Sequence, residues 1–181
     1  MKPINYTEFG HYLAGLIAVD GYIHLKYIAI SFHSSDDSIA YYLKSRLDYR
    51  QVSKKNKKAI IFVIRKKEGI YKILSLINEK LRTEHKLNQV NRILNNTILN
   101  NFDLNYTQDL NNYWLAGFSY AYASFQIILN RKDRKKPEIR LSFQVDQKKD
   151  IILNLIKIFL VGNLGYRKTQ DTYYYSSTSF G

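Results

Sequence analysis

The residues of this chain whose type and spacing point most directly to chemistry are its cations. Lys54, Lys55, Lys57 and Lys58 stand together, Arg65, Lys66 and Lys67 follow shortly after, and Arg131, Lys132, Arg134, Lys135 and Lys136 form a third cluster. Such clusters neutralise phosphates, and phosphate neutralisation supplies much of the affinity of proteins for nucleic acid. The whole chain carries the same sign: 28 Lys and Arg against 15 Asp and Glu give a formal charge of +13 on 181 residues. A field of that size calls for a polyanionic partner. Thiol chemistry is closed to it, because there is no cysteine to form a disulfide, a thiolate metal site or a nucleophile. The longest apolar runs, residues 151–155 and 158–161, are interrupted by Lys157 and are too short to cross a bilayer, so no membrane insertion is expected. The first ten residues, MKPINYTEFG, carry neither a signal peptide's apolar core nor a transit peptide's pattern. The abundance of Lys, Asn, Ile and Tyr matches AT-rich codons, which suggests a gene carried in an AT-rich organelle such as a mitochondrion.

What positions the cations is a duplicated unit. Tyr12-Leu13-Ala14-Gly15-Leu16 is answered by Trp114-Leu115-Ala116-Gly117-Phe118, Ile30-Ser31-Phe32-His33 by Leu141-Ser142-Phe143-Gln144, and Tyr49-Arg50 by Tyr166-Arg167. The order is kept while the offset grows, as it does when loops change length between copies. Apolar spacings of three and four predict a helix over residues 6–19, capped by Thr7, and another over 38–47. Residues 22–32 read as strand. A hairpin over 50–52 and 59–65 turns through Lys54 to Lys58, and helices follow over 68–81 and 87–95. Residues 100–112 read as a polar connector. The second copy repeats helix (110–121), strands (123–129 and 139–145), helix (148–160) and hairpin (166–169 with 173–179), which places basic clusters at strand ends in both copies.

The segment Leu13-Ala14-Gly15-Leu16-Ile17-Ala18-Val19-Asp20-Gly21 resembles the signature of the LAGLIDADG homing endonucleases and intron maturases, and Leu115 to Ala123 is its second copy. The resemblance extends through SFHSSDDSIAYYLKSRL, KEGIYKILSLINEKLRT and YRKTQDTYYYSSTSFG. It implies a mixed α+β fold: a pseudo-two-fold tandem repeat of αββαββα units whose antiparallel sheets form a saddle over a nucleic-acid groove, with the motif helices at the interface. The first repeat would span residues 1–100, a linker 101–112, and the second repeat 113–181, ending before the helices that close the first. The second core would then lack that cover, and a ribosome or another protein would shield its edge.

The resemblance also implies paired carboxylates that hold divalent metal at the ends of the two motif helices. Asp20 occupies the first position, but the second is Tyr122, and the position two before it is Tyr120. A neutral phenol is a poor ligand for Mg²⁺. Asp20 is thus the one residual catalytic and metal-ligating candidate. The family's polar strand residue falls on Gln144 and, in the first unit, His33, and its lysine falls on His85. The expected function is therefore nucleic-acid binding without cleavage, with no cofactor required and Mg²⁺ needed only if cleavage persists. Structured RNA, intronic or ribosomal, is expected before DNA, and the alternative is a metal-dependent, site-specific DNA endonuclease. The contact residues would be the three basic clusters with Arg50, Arg140, Arg167 and Lys168, and Tyr174 would share the face of Arg140 and Lys168.

Overall fold

The computed structural model describes residues 2–48, 50–56, 58–95, 102–130 and 138–178. Lys57 and the entire Arg131 to Lys136 cluster lie outside the described residues, as do the side chains of Arg50, Lys54, Lys55 and Tyr122. Contacts divide the chain into two compact units, Met1–Tyr106 with Asn112–Ala121, and Thr107–Asn111 with Tyr122–Gly181. The sequence places a linker at 101–112 and the second motif helix after it in the second repeat, whereas the contacts assign that helix to the first unit.

The first unit begins with α1 (Tyr6–Asp20), runs through strands β1 (Gly21–His24) and β2 (Tyr27–His33), and enters helix α2 (Asp37–Arg46) by a short 3-10 turn. Strands β3 (Arg50–Asn56) and β4 (Ala59–Ile64) and helices α3 (Lys67–Ile77) and α4 (Glu84–Leu94) complete it, together with most of α5 (Trp114–Tyr122). Its four strands pair antiparallel in the order β1-β2-β4-β3. The register places Ile23, Ile28, Ile30, Phe32, Ile60, Phe62 and Ile64 on one face, all buried, as alternation along a half-covered sheet requires. Helix α3 adds Ile70, Ile73, Leu74 and Ile77 from a single stripe.

The second unit repeats the plan with β5 (Ala123–Asn130), β6 (Glu138–Gln147), α6 (Ile151–Leu160), β7 (Asn163–Arg167) and β8 (Thr172–Ser177), paired antiparallel in the order β5-β6-β8-β7. Phe143, Val145 and Tyr175 face Ile152, Leu153 and Ile156 of α6 to form its core. On the same sheet face, toward the far end of β5 and β6, Phe125, Ile127, Ile139 and Leu141 are exposed.

Several local expectations are corrected. Asn5, not Thr7, caps α1: its side chain accepts from the Glu8 N–H at 2.9 Å while the Glu8 carboxylate accepts from the Ile4 N–H at 2.8 Å. Thr7 lies inside the first turn, and Asn is at least as good a cap. The segment read as one strand over 22–32 folds into the two strands of a hairpin, turning at Leu25 and Lys26; continuous Ile and Tyr hid a turn that has no Gly or Asn. Lys54 and Lys55 belong to strand β3 rather than to its turn, with an irregularity between Lys54 and Asn56. Helix α3 stops at Ile77 instead of 81, and Glu79 follows with φ of 58°. The connector is not wholly polar, since Leu104 and Leu110 are buried, and Asn105 N–H donates to the Leu81 carbonyl at 2.7 Å.

Candidate functional site

The two motif helices meet backbone to backbone. A methyl group placed on Gly15 would lie 2.1 Å from the Trp114 carbonyl oxygen, and one on Gly117 would lie 2.0 Å from that of Tyr12. Only hydrogen fits at either position, so the two glycines set the helix spacing. Trp114 seals the contact: it is fully buried, stacks on Phe118 with centroids 4.8 Å apart, and has the Arg82 guanidinium 5.3 Å from its ring. Small residues in the motif thus fix where α1 ends and what it presents there.

It presents Asp20, the last helical residue, followed by Gly21, whose N–H returns to the Ile17 carbonyl. The Gly21 carbonyl in turn accepts the ammonium of Lys86. Lys86 is only 5% exposed, an unusual burial for a lysine. Burial drives its pKa down to about 8 against the pull of Asp20, which favours its charge. Asp20 is shifted the other way: crowding by neighbouring atoms raises its pKa, and Lys86 partly offsets the rise. Each group is thus moved toward the neutral range.

The basic residue beside Asp20 is therefore Lys86, not His85, and the expected register is out by one. Lys86 lies on the α4 face that also buries Gln89, Val90 and Ile93. Gln89 accepts from the Ile23 N–H at 3.0 Å, and its amide meets the His85 ring at 3.0 Å, so His85 helps to hold Gln89. The signal was available in the sequence: Lys86 falls three and seven residues before Gln89 and Ile93, where an apolar stripe would place a core residue.

The second motif is finished differently. Tyr120, offset by 102 residues from Ala18, hydrogen-bonds Asp36 through its hydroxyl, and its pKa rises to about 12, first through burial and then through Asp36. A phenol that donates to a carboxylate at the start of α2 ties α5 into the first unit; it is not a ligand. Tyr122 stands in the sequence where the second acid would be. Among the described residues no three His, Cys, Asp or Glu side chains gather to hold an ion. A single carboxylate with an ammonium beside it does not fit a pair of divalent cations.

The remaining expected residues are dispersed. Lys58, Arg65, Lys66 and Lys67 are exposed around the ends of β4. His33 is a cap, its ring nitrogen bonded to the Ser35 hydroxyl at 2.9 Å. In the second unit Gln144 donates to Asp146 at 3.0 Å, Asp146 holds Arg167 at 2.7 Å, and Arg167 lies 4.4 Å over Tyr174. The register puts these four on one sheet face with Arg140, opposite the core. Tyr174 is therefore on the polar face with Arg140, while Arg167 has its charge matched by Asp146. Lys168 is exposed in the β7–β8 turn.

Comparisons with known proteins agree with this architecture. Residues 115–180 match the LAGLIDADG endonuclease family. The chain is 52% identical, over its whole length, to an uncharacterized 37.2 kDa protein of cox1 intron 2 from Schizosaccharomyces pombe, of which it spans 58%. It is 31% identical to the intron-encoded DNA endonuclease aI3 of Saccharomyces cerevisiae, an alignment covering 78% of this chain and 43% of that protein. It is 25% identical to the intron-encoded RNA maturase bI4 of the same yeast, covering 92% of this chain and 26% of the relative. The chain thus spans between a quarter and three fifths of the curated relatives it matches. Among solved structures, the meganuclease I-SmaMI bound to an uncleaved DNA target superposes with a TM-score of 0.68 at 17% identity, over 98% of this chain and 80% of that one. With its repeated motif, glycine-packed helices and pair of four-stranded sheets, the chain resembles the LAGLIDADG endonucleases and carries a LAGLIDADG endonuclease domain, matched over residues 115–180.

Proposed function

We propose that this chain is a mitochondrial, intron-encoded member of the LAGLIDADG endonuclease family that binds structured RNA, and intron RNA in particular, without cutting DNA. The observation that carries the absence of cutting is the inequality of its two motifs. The first ends in Asp20 with Lys86 beside it, and the second has Tyr122 in the acid's place. Hydrolysis of two strands by paired metals draws on a carboxylate from each motif. Binding draws on neither, and its requirements are retained: a charge of +13 and exposed Lys58, Arg65, Lys66, Lys67, Arg140 and Lys168. The relatives named as products of introns, one of them an RNA maturase, favour an intron transcript over ribosomal RNA.

One observation favours a second reading, a DNA endonuclease that nicks one strand. The Asp20 and Lys86 pair is intact, and a relative of 31% identity is named a DNA endonuclease. Incubating the purified protein with Mg²⁺ or Mn²⁺ and supercoiled DNA carrying the intron's insertion site separates the two. Binding alone leaves the plasmid supercoiled, whereas conversion to nicked circles, abolished by Asp20→Asn, establishes the endonuclease.

A further inference from the structure

The hairpin β1–β2 carries three rings on its solvent face. Tyr22 and His24 lie two apart on β1, and Tyr27 stands directly opposite His24 on β2. Their centroids are 6.1 Å apart for Tyr22 and His24, with planes inclined by only 21°, and 4.8 Å apart for His24 and Tyr27. The Lys26 N–H donates to His24 Nδ1 at 3.3 Å, which orients the middle ring. Tyr22 is 46% exposed although it is a large ring on a sheet whose opposite face is fully buried. Its cross-strand neighbour is Ala29, and Ser31 continues the same face, so small side chains leave the rings standing above the sheet. The core is built from Ile23, Ile28 and Ile30 on the other side of the hairpin.

The surroundings select the occupant. Lys26 forms the hairpin turn, Arg65 follows the residue of β4 paired with Ile28, and Lys67 starts α3. These three cations line, with Leu25, Ile70, Tyr71 and Ile93, a cleft of about 380 Å³ at the hairpin tip, whose lining includes none of the three rings. Aromatic rings on a hairpin that turns through a cation suit a nucleotide strand, in which a base stacks on a ring and the adjoining phosphates meet charges on the same unit. A paired base offers only its edge to such a ledge; an unpaired base offers its face. The geometry points to Tyr22, His24 and Tyr27 as a stacking site for an unpaired base of a loop or bulge. This site rests on the nucleic-acid reading above and adds the element of structure that is recognised.

The test uses the full chain and three fluorescent probes: an RNA hairpin with 2-aminopurine in its loop, a DNA hairpin of the same sequence, and a fully paired RNA duplex with the label inside. Binding is expected to quench the loop label by stacking. Replacing Tyr22 and Tyr27 together by Ala is expected to weaken loop-RNA binding about fivefold or more and to abolish the quench, with less than a twofold change for the duplex. The Tyr22→Phe and Tyr27→Phe pair retains rings and should behave as wild type, which separates stacking from misfolding. Comparison of the two hairpins tells an unpaired ribonucleotide from an unpaired deoxynucleotide. Equal losses on loop and duplex, or no loss on either, overturn the stacking site while leaving nucleic-acid binding in place. Failure of the wild-type chain to bind any probe overturns both.

Discussion

Asp20 and Lys86 influence each other's protonation at the end of the first motif, and their electrostatics yield a measurable consequence. Lys86 titrates at about 8 in the fold against an ordinary 10.5. Between those values the unfolded chain binds more protons than the folded one, so folding stability rises with pH across that window. Full relief of the buried charge is worth roughly 3 kcal/mol. Urea denaturation of the wild type and of Lys86→Met across pH 7 to 10.5 should show a rising stability in the wild type that the variant lacks; parallel curves would mean that Lys86 is hydrated. Asp20 works in the opposite sense, since its raised pKa favours the fold when it is protonated and that contribution is lost as pH rises through its folded value. At this scale the sequence was legible in part. Asp20 and Tyr122 were read directly from the motifs, because a repeated pattern fixes their positions. Lys86 was missed by one residue, because the break between α3 and α4 moves the register of α4, and a helix face depends on where the helix starts. The tie from Tyr120 to Asp36 joins elements eighty-odd residues apart in sequence, and no local pattern announces such a contact.

At the scale of elements, the α1 and α5 pair is the most constrained part of the first unit. Gly15→Ala and Gly117→Ala each drive a methyl group into a carbonyl oxygen, and each is expected to cost about 2–4 kcal/mol in denaturant unfolding. A cost below 1 kcal/mol would show that the helices can separate without loss. Trp114 is the sole tryptophan, so its fluorescence reports the same contact. Trp114→Phe preserves the stack on Phe118 and should be tolerated far better than Trp114→Ala, for which about 4 kcal/mol is expected. The elements themselves were largely legible, since alternation and three-four spacing reflect which face is buried. The β1–β2 turn was not, because its residues Leu25 and Lys26 carry no turn signature and the strands on both sides are equally rich in Ile and Tyr. Nor was the length of β3, whose charged residues read as a loop although cross-strand pairing with Ile60 and Ile61 keeps Ser53 and Lys54 in the sheet.

For the whole molecule, charge governs affinity and its response to salt. If Lys66 and Lys67 meet phosphates, replacing each by Gln should lower RNA affinity and reduce the slope of log affinity against log salt concentration by about 1 per residue. An unchanged slope would remove both from the interface. The net charge was legible from composition alone, but composition does not say which polyanion is bound, and the inequality of the motifs bears only on what happens after binding. The decisive measurement is therefore a single competition in Mg²⁺, in which the purified chain is offered its intron transcript and a DNA duplex spanning the intron's insertion site, with bound fraction and strand breaks scored together. RNA binding without cleavage predicts RNA bound at least tenfold more tightly and DNA left intact. Tighter binding to the duplex, with breaks that disappear in Asp20→Asn, would contradict it.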